Sequence, residues 1–305
     1  MDIDILQSSV KSGFRAALKT AWWMARLTVL ISFGVMLMQY FGIVEQISRW
    51  LTPAFTYLGL SGEAALVFIS GALVNIYAAI AVVETIGLDT RSITILALMC
   101  LCAHNLILET AIQRKTGSSA LQMVAIRLAT ALLSAIVLNA VLPPTAGDAV
   151  LRKIALREDD FAVVLTHWAI GTLGLVCKMC AIIISLTVLQ RVLAELGAIR
   201  WLSLRLRLLM HAFGLPQKTA FLWIVSQTLG LAYGGAVMFE EKAAGKLTRR
   251  ELDLLNYHIA VSHSNVEDVL LFFFAGASLW WMYSLRVVLA VGVVWGRRLL
   301  GRYNF

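Results

Sequence analysis

The chain has 305 residues, of which 60% are hydrophobic and only 14% charged, roughly half the charge of an ordinary soluble domain. That balance excludes a soluble globular enzyme and points to a helical protein that spans the bilayer several times. The formal charge of +8 does not indicate nucleic acid, because the bases cluster between apolar stretches and no basic face is interleaved with aromatics.

In chain order, residues 1–20 read as an amphipathic helix with Lys11, Arg15 and Lys19 at the membrane surface. Apolar runs long enough to cross hydrocarbon follow at about 21–43, 63–86, 92–112 and 119–142. An amphipathic stretch from Val44 to Leu58, interrupted by Pro53, separates the first two, and Pro143 and Pro144 stop the fourth. The polar segment 143–160 reads as a linker. Further runs follow at about 161–193, 217–239, 252–274 and 278–296, with an Arg-rich piece from Arg200 to His211 suited to the interface. The expectation is an all-α polytopic membrane protein of about eight apolar helices: a first repeat over 1–142, a linker over 143–160 and a second repeat over 161–305.

The repeats rest on an ungapped internal match. Residues 71–131 align with 230–290 at a constant offset. Gly71 meets Gly230, Arg91 meets Arg250, His104 meets His263, Gly117 meets Gly276, Ser119 meets Ser278, Met123 meets Met282 and Arg127 meets Arg286. Membrane proteins built from two repeats commonly bind their solute where the repeats meet.

Lysines and arginines at 11–19, 152–157, 242–250 and 297–302 would be cytoplasmic with the N-terminus inside, which is the orientation expected. Arg200, Arg205 and Arg207 then fall on the opposite side, so either that piece lies flat on the outer leaflet or one apolar run does not cross. Parallel and inverted repeats both remain open. No secretory cleavage site follows the first apolar run, and the location expected is the inner membrane. The lipid bilayer is the expected surrounding, and a homo-oligomer is left open.

Ionisable groups inside apolar runs are costly and tend to mark function. The third run holds His104, Asn105 and Glu109; the seventh holds His263, Asn265, Glu267 and Asp268. His263 and Glu267, four apart, share a face of a regular helix. Glu109 and Asp268 each come five residues after their histidine, about 140° round a straight helix, so imidazole and acid face one cavity only if the helix breaks there. Such groups can bind a divalent cation, relay protons or hold a polar solute; they can equally satisfy one another between packed helices. The metal-ligand set expected is His104, Glu109, His263, Glu267 and Asp268. Asn105 and Asn265 would orient a ligand. Arg127 and Arg286 either pair with Glu109 and Asp268, hold an anionic group, or snorkel. Asn75 lies beside the duplicated glycine in a polar interruption of the second run, Lys178 lies near the centre of the fifth, and Cys100, Cys102, Cys177 and Cys180 are as readily apolar packing as ligands. No nucleotide loop, nucleophile elbow or zinc-protease motif is present, so no enzymatic activity and no resident cofactor are expected.

The stretch His263, Ser264, Asn265, Val266, Glu267, Asp268, followed by Gly276, Ala277 and Arg286, resembles the nucleoside-recognition, or Gate-domain, membrane proteins. Related segments occur in nucleoside transporters and in ferrous-iron transport protein B. The set His104, Glu109, Gly117 and Arg127 is similar to a second copy that carries Leu108 where the pattern has Glu. The resemblance implies transport of a small polar solute or ion, either nucleoside-like or a divalent metal, between two repeats; the alternative is a non-transporting assembly or signalling subunit.

Overall fold

The computed structural model describes residues 3–144 and 160–301, so most of the expected linker lies outside the described residues. Everything regular among them is helical. The amphipathic start and first apolar run fuse into one helix, α1 (Ile3–Tyr40), followed by α2 (Ile43–Thr56), α3 (Ala64–Leu73), α4 (Ile76–Ile86), α5 (Thr90–Ala103), α6 (Leu106–Thr116) and α7 (Ala120–Val141). The second half holds α8 (Phe161–Glu195), the short α9 (Ala198–Arg205) and α10 (Arg207–Ala212), then α11 (Ala220–Ala243), α12 (Arg249–Val261), α13 (Glu267–Phe274) and α14 (Leu279–Gly301). Among the described residues, five stretches are long and apolar enough to cross a bilayer: Gly13–Tyr40, Thr90–Thr116, Ala120–Val141, Phe161–Glu195 and Leu279–Leu300.

Several expected continuous helices are interrupted. The run over 63–86 divides at Asn75, whose extended backbone starts α4 and whose Oδ1 accepts from the Ala78 amide at 3.0 Å. The run over 92–112 divides at His104 and Asn105, and that over 252–274 divides between Ser262 and Val266. The run over 217–239 forms α11, which kinks at Gly230 with φ 79 and ψ 173, a region open essentially to glycine alone. Pro53 does not interrupt α2, which runs on to Thr56.

Two helices form the centre. In α5 every residue from Ile93 to Ala103 is buried, and in α12 so is every residue from Glu251 to Val261. A helix enclosed on all sides must be apolar all round or pair its polar groups. α5 does the first; α12 does the second, with Asn256 Nδ2 donating to Thr116 Oγ1 at 2.8 Å and Gln113 Nε2 donating to the Asn256 carbonyl at 3.1 Å. Both are capped alike: Asp89 accepts from the Ser92 amide, and Thr248 accepts from the Glu251 amide in a capping box. α3, α4, α7 and α14 pack round α5, while α11 packs against α12. On the flank α1 lies along α8. Its buried stripe is small (Ala17, Ala21, Ala25, Thr28, Ser32), which lets two backbones approach where no hydrophobic drive separates protein from lipid.

The kink makes a measurable demand. Gly230→Ala should lower stability by about 1–3 kcal/mol, whereas Gly292→Ala, whose Cβ would enter open space within α14, should be neutral or slightly stabilising. Thermal unfolding in detergent compares the two; equal transitions would show that the Gly230 conformation is unstrained.

Candidate functional site

α5 and α12 end at the same place, and their ends carry the duplicated histidines. His104 caps α5 with extended backbone, and Asn105 then turns left-handed at φ 47; at the equivalent place after α12, Ser264 does so at φ 47. The Asn105 amide donates to the Gly71 carbonyl at 2.9 Å and the Ser264 amide to the Ser226 carbonyl at 3.0 Å. The duplicated glycines permit this approach. A Cβ on Gly71 would lie 2.9 Å from Cys100 Sγ, and one on Gly230 would lie 2.9 Å from Ser264 Oγ.

A helix that stops inside a protein leaves carbonyls without partners. Here the histidines and arginines take them. Nδ1 of His104 lies 2.9 Å from the Cys100 carbonyl, and Nδ1 of His263 lies 2.7 Å from the Ile259 carbonyl. Arg127 donates from Nε to the Cys102 carbonyl at 2.9 Å and from Nη2 to the His104 carbonyl at 2.5 Å. Arg286 donates from Nε to the Val261 carbonyl, from Nη2 to the Leu101 carbonyl (both 2.8 Å) and from Nη1 to Asn265 Oδ1 at 2.7 Å. Both guanidinium groups are fully buried, so neither arginine snorkels. A cation at a helix C-terminus also meets the negative end of its dipole.

A carbonyl only accepts, so each Nδ1 carries the proton and each neutral imidazole presents a bare Nε2. Those two Nε2 atoms stand 3.2 Å apart. Glu109 Oε1 is 3.2 Å from both, and Asp268 Oδ2 is 3.4 Å from Nε2 of His104. The carboxylates enter from the first turns of α6 and α13, where an acid is favoured by the helix dipole. Arg127 Nη2 holds the other Glu109 oxygen at 2.7 Å. Asp268 Oδ2 is buried and has no hydrogen bond among the described residues. Acceptor atoms of His104, His263 and Asp268 thus converge, with Glu109 against both imidazoles, an arrangement that carries repulsion unless a cation, proton or metal, lies among them. His104, His263 and Asp268 can each direct one ligand atom into a common centre, the three atoms lying within 4.8 Å of one another.

The remaining expected residues divide. Glu267 does not join the histidines: the break at Ser264 resets the rotation of the chain, and its carboxylate accepts from the Tyr77 hydroxyl instead. Asp268 is brought to the cluster, but Arg286 pairs with Asn265 rather than with it. Asn265 braces the break, donating to Ser262 Oγ at 2.8 Å and accepting from the Tyr283 hydroxyl through its carbonyl. Asn75 is a helix cap, and Asn105 contributes its left-handed backbone. None of the cysteines belongs to the metal-capable group; Cys100 packs against Gly71. Gln227 is legible as a polar residue flanking the duplicated Gly230, whereas Tyr283 and Ser262 carry no sequence signal as partners of the break. Gln227 Nε2 donates to the Ser262 carbonyl at 2.6 Å, and each of these contacts is to a backbone atom or a near neighbour, which leaves no spacing pattern to read.

Arg286→Ala would strand the Leu101 and Val261 carbonyls and the Asn265 amide in a dry interior. The expected loss is about 3 kcal/mol or more, and Arg286→Lys should recover little, because one ammonium cannot span three separated acceptors. Thermal melts of the two variants in detergent test this; a lysine variant as stable as the parent would contradict the fork geometry.

No known protein-family profile matches the chain, and no solved structure matches it. The chain is similar to the uncharacterized membrane protein YvoD of Bacillus subtilis (strain 168), with 31% identity over 288 residues that cover 92% of this chain and 91% of the relative. Agreement of that extent, over helices long and apolar enough for a bilayer, makes this an all-α membrane protein, and the chain belongs to the family of YvoD.

Proposed function

We propose that this protein carries a divalent transition-metal cation across the cell membrane through the site shared by its two halves. The observation that carries the reading is the set of separations around Nε2 of His104: 3.2 Å to Nε2 of His263, 3.2 Å to Glu109 and 3.4 Å to Asp268. A tetrahedral ion with metal–ligand bonds of about 2.0–2.1 Å requires ligand atoms about 3.3–3.4 Å apart. Each imidazole also donates its other nitrogen to a backbone carbonyl, the arrangement that fixes metal-binding histidines in orientation and tautomer. Two imidazoles and two carboxylates suit a borderline ion such as zinc, manganese or ferrous iron. The resemblance to Gate-domain proteins supports transport, and helices broken beside a buried polar centre are a recurrent feature of transporters. The distribution of basic residues supports an inner-membrane protein with a cytoplasmic N-terminus.

A nucleoside-like solute, which side-chain amides and aromatics such as Tyr77 and Tyr233 would recognise, is supported less well. The gap between the imidazoles admits an ion and not a base, Tyr77 is engaged by Glu267, and Tyr233 is 56% exposed on the outside of α11. The close packing of the cluster favours a second reading, in which the same groups staple the halves of a non-transporting subunit.

Cobalt(II) separates the readings. Titrated into the purified protein, it should give the intense visible bands of a tetrahedral site, lost in His104→Ala and His263→Ala and weakened about tenfold or more in Glu109→Gln. In proteoliposomes holding a metal-sensitive dye, the parent should admit zinc or manganese and His263→Ala should not. A parent protein whose cobalt spectrum matches that of the histidine variants would sink the metal reading; binding without uptake would favour the staple.

A further inference from the structure

Helix α8 presents three unlike faces. Val164, Thr172, Leu175, Met179 and Ile183 are buried inside the molecule. Ile170 and Leu173, each 66% exposed, form an ordinary lipid-facing side. Between them runs a third stripe, His167, Gly171, Gly174, Lys178, Ala181 and Ser185, every one exposed. The spacing alternates between four and three residues, the rhythm of a helix–helix seam. No atom lies within 4 Å of where a Cβ would stand on Gly171 or Gly174. The small buried stripe on α1 has the same chemistry and is covered by α8; this one is covered by nothing among the described residues.

Small residues alone would not identify an interface. Lys178 adds the independent observation. It stands at the middle of the 35-residue helix Phe161–Glu195, and the centre of a hydrocarbon layer about 30 Å thick lies about 15 Å from either interface. That is farther than a lysine stem extends, and an ammonium facing acyl chains is costly. Glu84 of α4, also exposed, lines the same shallow cleft with Leu175, Ile182 and Phe274. No ion pair joins Glu84 to Lys178 among the described residues. The surface therefore holds one acid and one base at a shared depth, each short of a partner.

We propose that this stripe is the interface between two copies of the chain, related by a two-fold axis, with Lys178 of each copy reaching Glu84 of the other. A patch carrying both signs is complementary to itself under two-fold rotation, so a second copy supplies both missing charges at once. Glycine and alanine let the two α8 backbones close, and a single central lysine among small residues sets their register. The pairing is independent of what the histidine site carries.

The test uses the full chain in lipid bilayers, with subunits counted by single-molecule photobleaching as the protein is diluted into lipid. The parent should remain dimeric. Lys178→Glu and Gly174→Phe should each weaken association by about tenfold or more, and Lys178→Glu combined with Glu84→Lys should restore it. Gly174 faces open space within one copy, so its variant keeps the subunit fold, checked by thermal melting. With Cys177 and Cys180 changed to Ala, Gly174→Cys should cross-link between copies and Leu173→Cys should not. A parent that is monomeric at every dilution overturns the proposal, as does cross-linking through Leu173 in place of Gly174, or a doubly exchanged variant no better than Lys178→Glu alone.

Discussion

Two buried helices stop in the middle of this protein, and the rest of the site depends on how their last carbonyls are satisfied. The free ends of α5 and α12 would each leave several acceptors dry, at a cost of a few kcal/mol apiece. The chain answers with cations and imidazoles. Arg127 and Arg286 spread their forks over the terminal carbonyls, and each histidine turns its Nδ1 back onto its own helix. Capping and ligand presentation are then one act: the hydrogen bond that satisfies a carbonyl also strips Nε2 of its proton and aims it at the opposite half.

That coupling explains why a polar cluster so deep is tolerable. An isolated acid or base in this interior would be strongly unfavourable. Glu109 instead lies between Arg127 and two imidazoles, and the arginines lie against helix termini whose dipoles favour them. The glycines at 71 and 230 belong to the same solution, since they let neighbouring segments come close enough for the Asn105 and Ser264 amides to find partners.

Much of this was legible in the sequence. Repetition of His104 as His263 pointed to the candidate site, and the five-residue step to Glu109 and Asp268 allowed acid and imidazole to face one cavity only across a broken helix, which the structure has at Asn105 and Ser264. The same break spoils the simpler inference that His263 and Glu267 share a face, because a residue at positive φ rotates everything after it. The sequence left the arginines between pairing with the acids, holding an anion and snorkelling, and did not show them as caps, since their acceptors are backbone atoms and every residue type carries those. In the sequence Asn75 is a polar interruption of one continuous run and a ligand-binding candidate; its role as a helix cap shows only in the structure, because the hydropathy of the run does not mark where a new helix begins. The long spans were recognisable from hydropathy; their interruptions were less so, because a break at Ser262 or Asn105 changes direction without changing apolar content.

The hydrogen bond from Arg286 to the Leu101 carbonyl crosses from one half to the other. During synthesis the first half leaves the ribosome long before Arg286 is made, so the Leu101 carbonyl of α5 waits for its partner while Arg127 already covers the carbonyls of Cys102 and His104. Were the gene divided between the halves, the two products would have to be made together to yield a lasting protein.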